Sequence, residues 1–472
     1  MEAEALLQEI SVFCRDTEMA ETTFGRRAVN DGKFVARLRY GGRVTTSTVE
    51  RVRAFIRDHA HGRAPRSDSH SLKGLNTALT AAAVVASETE MALEPQQNFR
   101  FYDNRQKYLM FVNTCSEKWV VAERVKRELE TLTPRPPAVR LFDAGVGDGT
   151  VLARVMRSMH RRFEQHPFCI VGKEISLEDV RLTLEKMPDR FFEHPATCLV
   201  MTNLAYAEAP WLTPNSPNAA QSLVWKEVVL KGSTAAEFEE QMTGLETFLG
   251  ENWRVSVSKK TGNPVYETPT VLVIYREDCR FLLDQVIPRR GALRADYDLI
   301  LASQPYRARA SVDFKAKRVV APLARALAPG GRLLGIHSYG GDPGLQIVQK
   351  VWPGEQPFQT GRQNLLRATK HELGRSAHHF KFIVGSDAKA LFRYDMHTLP
   401  GELDMAAASI GTSTVLAAWN AAVYVAQIED QRLAEVMAND GYLHATREVL
   451  KEQGGLWFFD ESYVISRTRD LQ

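Results

Sequence analysis

The chain is 472 residues long, 44% hydrophobic and 25% charged, enough for about three domains at roughly 150 residues each, and its composition excludes collagen-like and wholly disordered classes. Its 60 basic and 57 acidic residues leave a formal charge of +3, which by itself implies no polyanionic partner. Five scattered cysteines without a C-x-x-C pair argue against a disulfide framework, and no basic-then-apolar leader follows Met1, so a reduced, cytoplasmic protein is expected.

Residues 1–60 read as short helices. Leu6, Leu7, Ile10 and Phe13 share one helical face, Thr22-Thr23 caps a helix carrying Phe24, Ala28 and Val29, and Asn30-Asp31-Gly32 turns the chain into a second helix from Lys33 to Arg39. Thr45 to Thr48 then cap a helix with Val49, Val52, Phe55 and Ile56 inward. Nine basic residues between Arg26 and Arg57 face only Asp31 and Glu50. The helix, turn and second helix resemble a repressor-type helix-turn-helix domain, which implies DNA contacts from Arg26, Arg27, Lys33, Arg37 and Arg39. The competing reading is a solvated basic face on a dimerisation module, giving a homodimer.

Residues 61–100 are polar and turn-rich at His61 to His70, as in a linker. A helical pattern through Tyr108, Phe111, Val112, Cys115, Val120, Val121, Val125 and Leu129 stops before Pro134, Pro136 and Pro137. Short β-branched runs then alternate with helical stretches, predicting a parallel sheet with helices on both faces. The expected strands are 139–143, 169–174, 197–202, 298–302 and 332–336, with later ones at 380–384, 390–394 and 457–465. Residues 101–204 plus 293–472 would form this domain, and 205–292 an inserted cap with strand-like pieces of its own. The run Met405 to Ala426 carries Ser409, Thr412, Ser413, Thr414 and Asn420, too many polar groups for a membrane span, so a buried helix is expected.

The sharpest motif is Asp143-Ala144-Gly145-Val146-Gly147-Asp148-Gly149-Thr150, between the first strand and a helix. Glycines allow a tight turn and close ligand approach, and a helix N-terminus offers free N–H groups. The third glycine comes one residue earlier than in the dinucleotide fingerprint. In this the chain resembles the class I S-adenosylmethionine-dependent methyltransferases over about Arg105 to Arg467, excluding the insertions. The resemblance implies a Rossmann-like sheet and S-adenosylmethionine as cofactor. It further implies that Asp143 organises the loop, that Gly145, Gly147 and Gly149 pass beneath the cofactor, and that Glu174 accepts hydrogen bonds from both ribose hydroxyls. Where the family often has Asp facing the adenine amine, this chain has Thr202-Asn203.

Ser303-Gln304-Pro305-Tyr306, after the fourth strand, resembles the Asn/Asp/Ser-x-Pro-Tyr motif of enzymes that methylate nitrogen on a planar amine, amide or nucleobase, with Gln304 at a place more often Pro. There Ser303 and the Gln304 carbonyl would accept the amine hydrogens while Tyr306 stacks on the substrate. The implied function is N-methylation of an amine-bearing small molecule or, alternatively, of adenine in nucleic acid, with an N-terminal DNA-binding or regulatory domain. A further alternative is a transcription regulator whose methyltransferase-like domain senses the cofactor. His337, His378 and His379 have no carboxylate or cysteine at ligand spacing, so no metal site is expected.

Overall fold

The computed structural model describes residues 2–17, 19, 21–29, 34–39, 46–60, 105–258, 263–291, 295–397 and 410–469. The chain divides into two units, Met1–Met91 and Ala92–Gln472. Among the described residues no helix is long and apolar enough to cross a membrane.

In the first unit the apolar spacings become the helices Glu2–Asp16, Glu21–Val29, Phe34–Arg39 and Thr46–Ala60. They enclose a core of Leu6, Ile10, Phe13, Phe24, Phe34, Val35, Leu38, Val49 and Val52. Phe13, Phe24 and Phe55 meet edge to face with ring centres 5.4 to 6.0 Å apart, the arrangement ring quadrupoles favour. Lys33 and the side chains of Arg26, Arg27 and Arg37 lie outside the described residues, as does the 61–100 linker. Arg39 is described, and it pairs with Glu21 at 2.6 Å. Arg53 pairs likewise with Glu9 at 2.9 Å.

The second unit is mixed α/β around one sheet. Its strands are β1 (Val139–Asp143), β2 (Phe168–Lys173), β3 (Thr197–Thr202), β4 (Val224–Leu230), β5 (Val255–Val257), β6 (Pro264–Tyr266), β7 (Thr270–Arg276), β8 (Tyr297–Ser303), β9 (Leu327–Ser338), β10 (Phe380–Ile383), β11 (Leu391–Asp395) and β12 (Trp457–Arg467). The order is β10-β12-β9-β8-β1-β2-β3-β7-β4, with β11 also on β12, while β5 and β6 form a separate hairpin. From β9 to β3 neighbouring strands run parallel, and β12 is antiparallel to β9. The expected Rossmann-like sheet is present. Phe142, Val171, Val200 and Ile300 pack on one face with Val319, Leu323 and Leu365. Leu141, Ile170, Leu199 and Leu301 pack on the other with Leu152, Val155 and Leu184. Such double burial explains the nearly continuous apolar runs. Chain order reverses between β1 and β8, and open α/β sheets bind ligands in the crevice at the carboxyl ends beside such a switch.

Two expectations need correction. The 205–292 insertion extends the sheet edge rather than capping it: β7 is buried along its whole length and pairs antiparallel with β3, and β4 pairs parallel with β7. An apolar strand with both faces buried lowers its free energy by joining an existing sheet. The pattern from Tyr108 to Leu129 also breaks into two helices, Arg105–Thr114 and Glu117–Leu129. Between them Cys115 bridges Met396, and the Ser116 N–H donates to the Asp395 carbonyl at 2.9 Å. The predicted buried helix is found at Thr412–Val425.

Candidate active site

The turn after β1 follows the local logic of its glycines. Gly147 and Gly149 have φ of 58° and 79°, left-handed values that strain any residue with a Cβ. Gly149 is the N-cap of the helix Thr150–Arg162, and a Cβ there would lie 2.8 Å from the Thr183 Cα. The turn is clamped from the neighbouring helix Leu177–Glu185 and just beyond it. The Thr183 hydroxyl donates to the Gly147 carbonyl at 2.9 Å, and Lys186 Nζ to the Asp148 carbonyl at 2.7 Å.

Asp143 and Glu174 stand at the carboxyl ends of β1 and β2. Asp143 Oδ1 accepts the Gly145 N–H at 3.2 Å. Burial pushes its carboxyl up to about 7, against the pull of that N–H and of Lys118. Glu174 Oε1 accepts the N–H groups of Ile175 and Ser176, and Oε2 that of Gly147 at 2.9 Å. Each carboxylate oxygen has about two lone pairs, so Oε1 is filled and Oε2 keeps capacity for one more donor. The carboxylate thus has room for one ribose hydroxyl rather than for one on each oxygen. Burial, then Asp179, pushes the Glu174 carboxyl up as well.

Thr202 and Asn203 are placed at the end of β3, yet their side chains are already engaged. Thr202 Oγ1 donates to the Thr270 carbonyl at 2.8 Å. Asn203 Oδ1 accepts the Thr270 N–H at 2.9 Å, while its Nδ2 donates to the Thr268 and Asn252 carbonyls at 2.8 and 3.3 Å. Both are buried and fasten β7 to β3.

Ser303 ends β8 beside the glycine turn: a Cβ on Gly145 would lie 4.0 Å from the Ser303 carbonyl oxygen. Its own hydroxyl makes no hydrogen bond among the described residues. Gln304 has φ of 48°, a costly conformation for a residue with a side chain. Its N–H donates to the Ile336 carbonyl at 2.9 Å, its Nε2 to Asp460 Oδ1 at 3.2 Å, and its Oε1 accepts the Ser338 N–H at 3.3 Å. The Pro305 carbonyl accepts the Tyr206 hydroxyl at 2.7 Å. Tyr306 does not present an open ring: it is 7% exposed, with Lys315 Nζ over it at 5.1 Å. Burial holds its phenol well above the usual range and pushes Lys315 down to about 8.

Several residues here carry no motif. Tyr108 and Lys118 come from helices preceding the sheet. The Tyr108 hydroxyl accepts the Asp148 N–H at 3.2 Å, and Lys118 Nζ sits 5.6 Å from the Tyr108 ring centre. His337, Asp460 and Glu461 are buried at the β9 and β12 edges. The one signal available for the last two was a pair of adjacent acids inside an aromatic strand. Among the described residues no group of three or more His, Cys, Asp and Glu could hold a metal ion.

No family model and no curated protein matches this chain. Solved structures that resemble it include methyltransferases. One is a geranyl diphosphate methyltransferase in complex with GPP and sinefungin, at 12% identity over 73% of this chain and 78% of that one, with a TM-score of 0.28. Another is phosphoethanolamine N-methyltransferase 2 of Haemonchus contortus in complex with S-adenosyl-L-methionine, at 8% identity over 74% and 52%, TM-score 0.24. A third is an rRNA methyltransferase from Streptomyces viridochromogenes, at 15% identity over 46% and 72%, TM-score 0.21. Identities and scores this low carry no argument about the site.

Proposed function

We propose that this protein transfers the methyl group of S-adenosylmethionine to a nitrogen of an amine-bearing or planar substrate, a small molecule or a nucleic-acid base. The observation that carries the reading is the convergence of the Gly145–Gly149 turn, Glu174 and Ser303 at one sheet edge, with Ser303 O 4.0 Å from where a Gly145 side chain would begin.

The residues present fit the cofactor. Gly145, Gly147 and Gly149 keep the passage clear, Glu174 Oε2 has capacity for a ribose hydroxyl, and Asp143 once ionised complements the ammonium group of the methionine end. Thr202 and Asn203 back the adenine side through their main chain. When bound, the cofactor supplies an electrophilic methyl group on a sulfonium. The protein's task is then to aim the acceptor's lone pair, and orientation of this kind is worth several kcal/mol, on the order of 7 to 11 at best. In this reading the Ser303 hydroxyl and the Gln304 carbonyl accept the acceptor's N–H hydrogens, while Pro305 and Tyr306 form the floor beneath them. The helices of residues 1–60 act as a DNA-binding or regulatory unit.

Incubating the protein with methyl-labelled cofactor, a desalted extract and genomic DNA should move label into the small-molecule or the nucleic-acid fraction. No label anywhere, together with no binding heat for S-adenosylhomocysteine, would overturn the reading. Binding without transfer would move it to a cofactor-sensing regulator. Loss of a DNA gel shift on deleting residues 1–60 would support the DNA-binding role, and an unchanged shift would remove it.

A further inference from the structure

Adjacent residues of a strand point to opposite faces of its sheet. In β12 these residues are Asp460 and Glu461, both at most 1% exposed. Two neighbouring carboxyls buried inside a strand are costly unless each is well partnered. Their partners lead, from opposite faces, to one segment of chain.

On one face Glu461 stands directly across from His337 of β9. Glu461 Oε1 is 2.7 Å from His337 Nε2, and His337 Nδ1 is 2.5 Å from the Tyr306 hydroxyl. A carboxylate only accepts, so Nε2 must carry the proton. In the neutral ring Nδ1 then accepts from Tyr306. Arg362 completes the chain, donating its N–H to Glu461 Oε1 at 2.7 Å and its Nη1 to Oε2 at 2.8 Å. Burial would raise the Glu461 carboxyl, but His337 and Arg362 together hold it below its ordinary value. Tyr463, two residues on, lies over Gly335, where a Cβ would come within 2.1 Å of its ring, and its hydroxyl is 3.4 Å from that of Tyr306.

On the other face Asp460 Oδ1 accepts Gln304 Nε2, while Oδ2 has no hydrogen-bond partner among the described residues. Burial, with Glu117 and Asp342 nearby, pushes this carboxyl well above its usual range. Gln304 holds a left-handed φ, which persists only where its surroundings over-determine it.

We propose that Asp460 and Glu461 are positioning residues which clamp the Ser303–Tyr306 turn from both faces of the sheet, Asp460 through Gln304 and Glu461 through His337 to Tyr306. The role assigned to that turn, presenting the methyl acceptor, rests on the function proposed above; the clamp itself rests on the hydrogen bonds alone. The two sides differ in what they require. Asp460 needs only an acceptor oxygen, whereas Glu461 must stay charged beside a buried Arg362.

Hydrogen exchange of the full-length protein, read by mass spectrometry, tests the clamp. Its reporters include the Gln304 N–H, bonded to the Ile336 carbonyl, and the Ala308 N–H, bonded to Gln427 Oε1 at 2.9 Å. Y306F, E461Q and D460L should each speed exchange over residues 303–310 by about tenfold or more, with the 143–150 peptide unchanged. D460N, which keeps the acceptor oxygen, should exchange as the wild type does. Calorimetric affinity for S-adenosylhomocysteine should stay within about twofold throughout. Unchanged exchange at 303–310 in both Y306F and E461Q, or acceleration spread evenly over the sheet, would overturn the clamp. Failure of the wild type both to transfer label and to bind S-adenosylhomocysteine would instead remove the proposed function and leave the clamp standing.

Discussion

Asp143 should make cofactor affinity depend on pH across neutrality. Its carboxyl lies at about 7 rather than 3.8 because burial outweighs the Gly145 N–H and Lys118. A group so raised favours the ligand-free fold most in acid, and that contribution is lost as pH climbs through about 7. A ligand whose amino-acid ammonium group needs the ionised form acts in the opposite sense, binding more weakly as pH falls below 7. With about ten protonated molecules per ionised one at pH 6, and about three ionised per protonated at pH 7.5, the dissociation constant should differ about eightfold. This corresponds to about 1.2 kcal/mol. Titration calorimetry with S-adenosylhomocysteine in buffers of different ionisation heat should find close to one proton released per ligand at pH 6 and few at pH 7.5. Glu174 is also pushed up, so Asp143→Asn separates the two: it should weaken binding at pH 7.5 and flatten most of the slope. Equal affinity at both pH values, or a full slope in Asp143→Asn, would refute the reasoning.

Gly149→Ala should cost about 1 to 3 kcal/mol in urea unfolding and weaken S-adenosylhomocysteine binding, because its φ of 79° and the Thr183 Cα at 2.8 Å both exclude a methyl group; an unchanged midpoint and affinity would contradict the clamped turn. Asn203→Ala leaves the Thr270 N–H without its partner and leaves the Thr268 and Asn252 carbonyls to share the one Thr270 hydroxyl, so stability should fall by about 1 to 3 kcal/mol with ligand affinity nearly unchanged. A large loss of affinity at an unchanged midpoint would instead move the Asn203 side chain to the adenine. Gly335→Ala should separate β9 from β12 by driving a methyl group into the Tyr463 ring, seen as lost near-ultraviolet circular dichroism; a native spectrum would show that the ring can yield.

What could be read early was whatever depends on neighbours in the chain. Most strand limits came within a residue or two because double burial leaves nearly unbroken apolar runs such as Phe168–Lys173, but β9 begins at Leu327, five residues before the expected 332, because Pro329-Gly330-Gly331 reads as a turn. The glycine turn was legible because φ at Gly147 and Gly149 is a local property. Tyr306 was read as an open stacking ring, since its motif says nothing of Lys315 or His337, which pack against it from elsewhere. The 205–292 insertion was expected as a cap because its strand pattern could not say which edge would receive β7.

The sequence by itself therefore determined the alternation of strand and helix, the turn at Gly145–Gly149 and the acids that end β1 and β2, all set by backbone preference and apolar spacing over a few residues. Tertiary structure alone decided that Tyr306, His337, Arg362 and Glu461 share one chain of hydrogen bonds, that Asp460 faces the other way, and that Asn203 spends its amide on β7. Those outcomes follow from strand order and register between segments up to 156 residues apart in the Gln304–Asp460 pair, and no local preference specifies them.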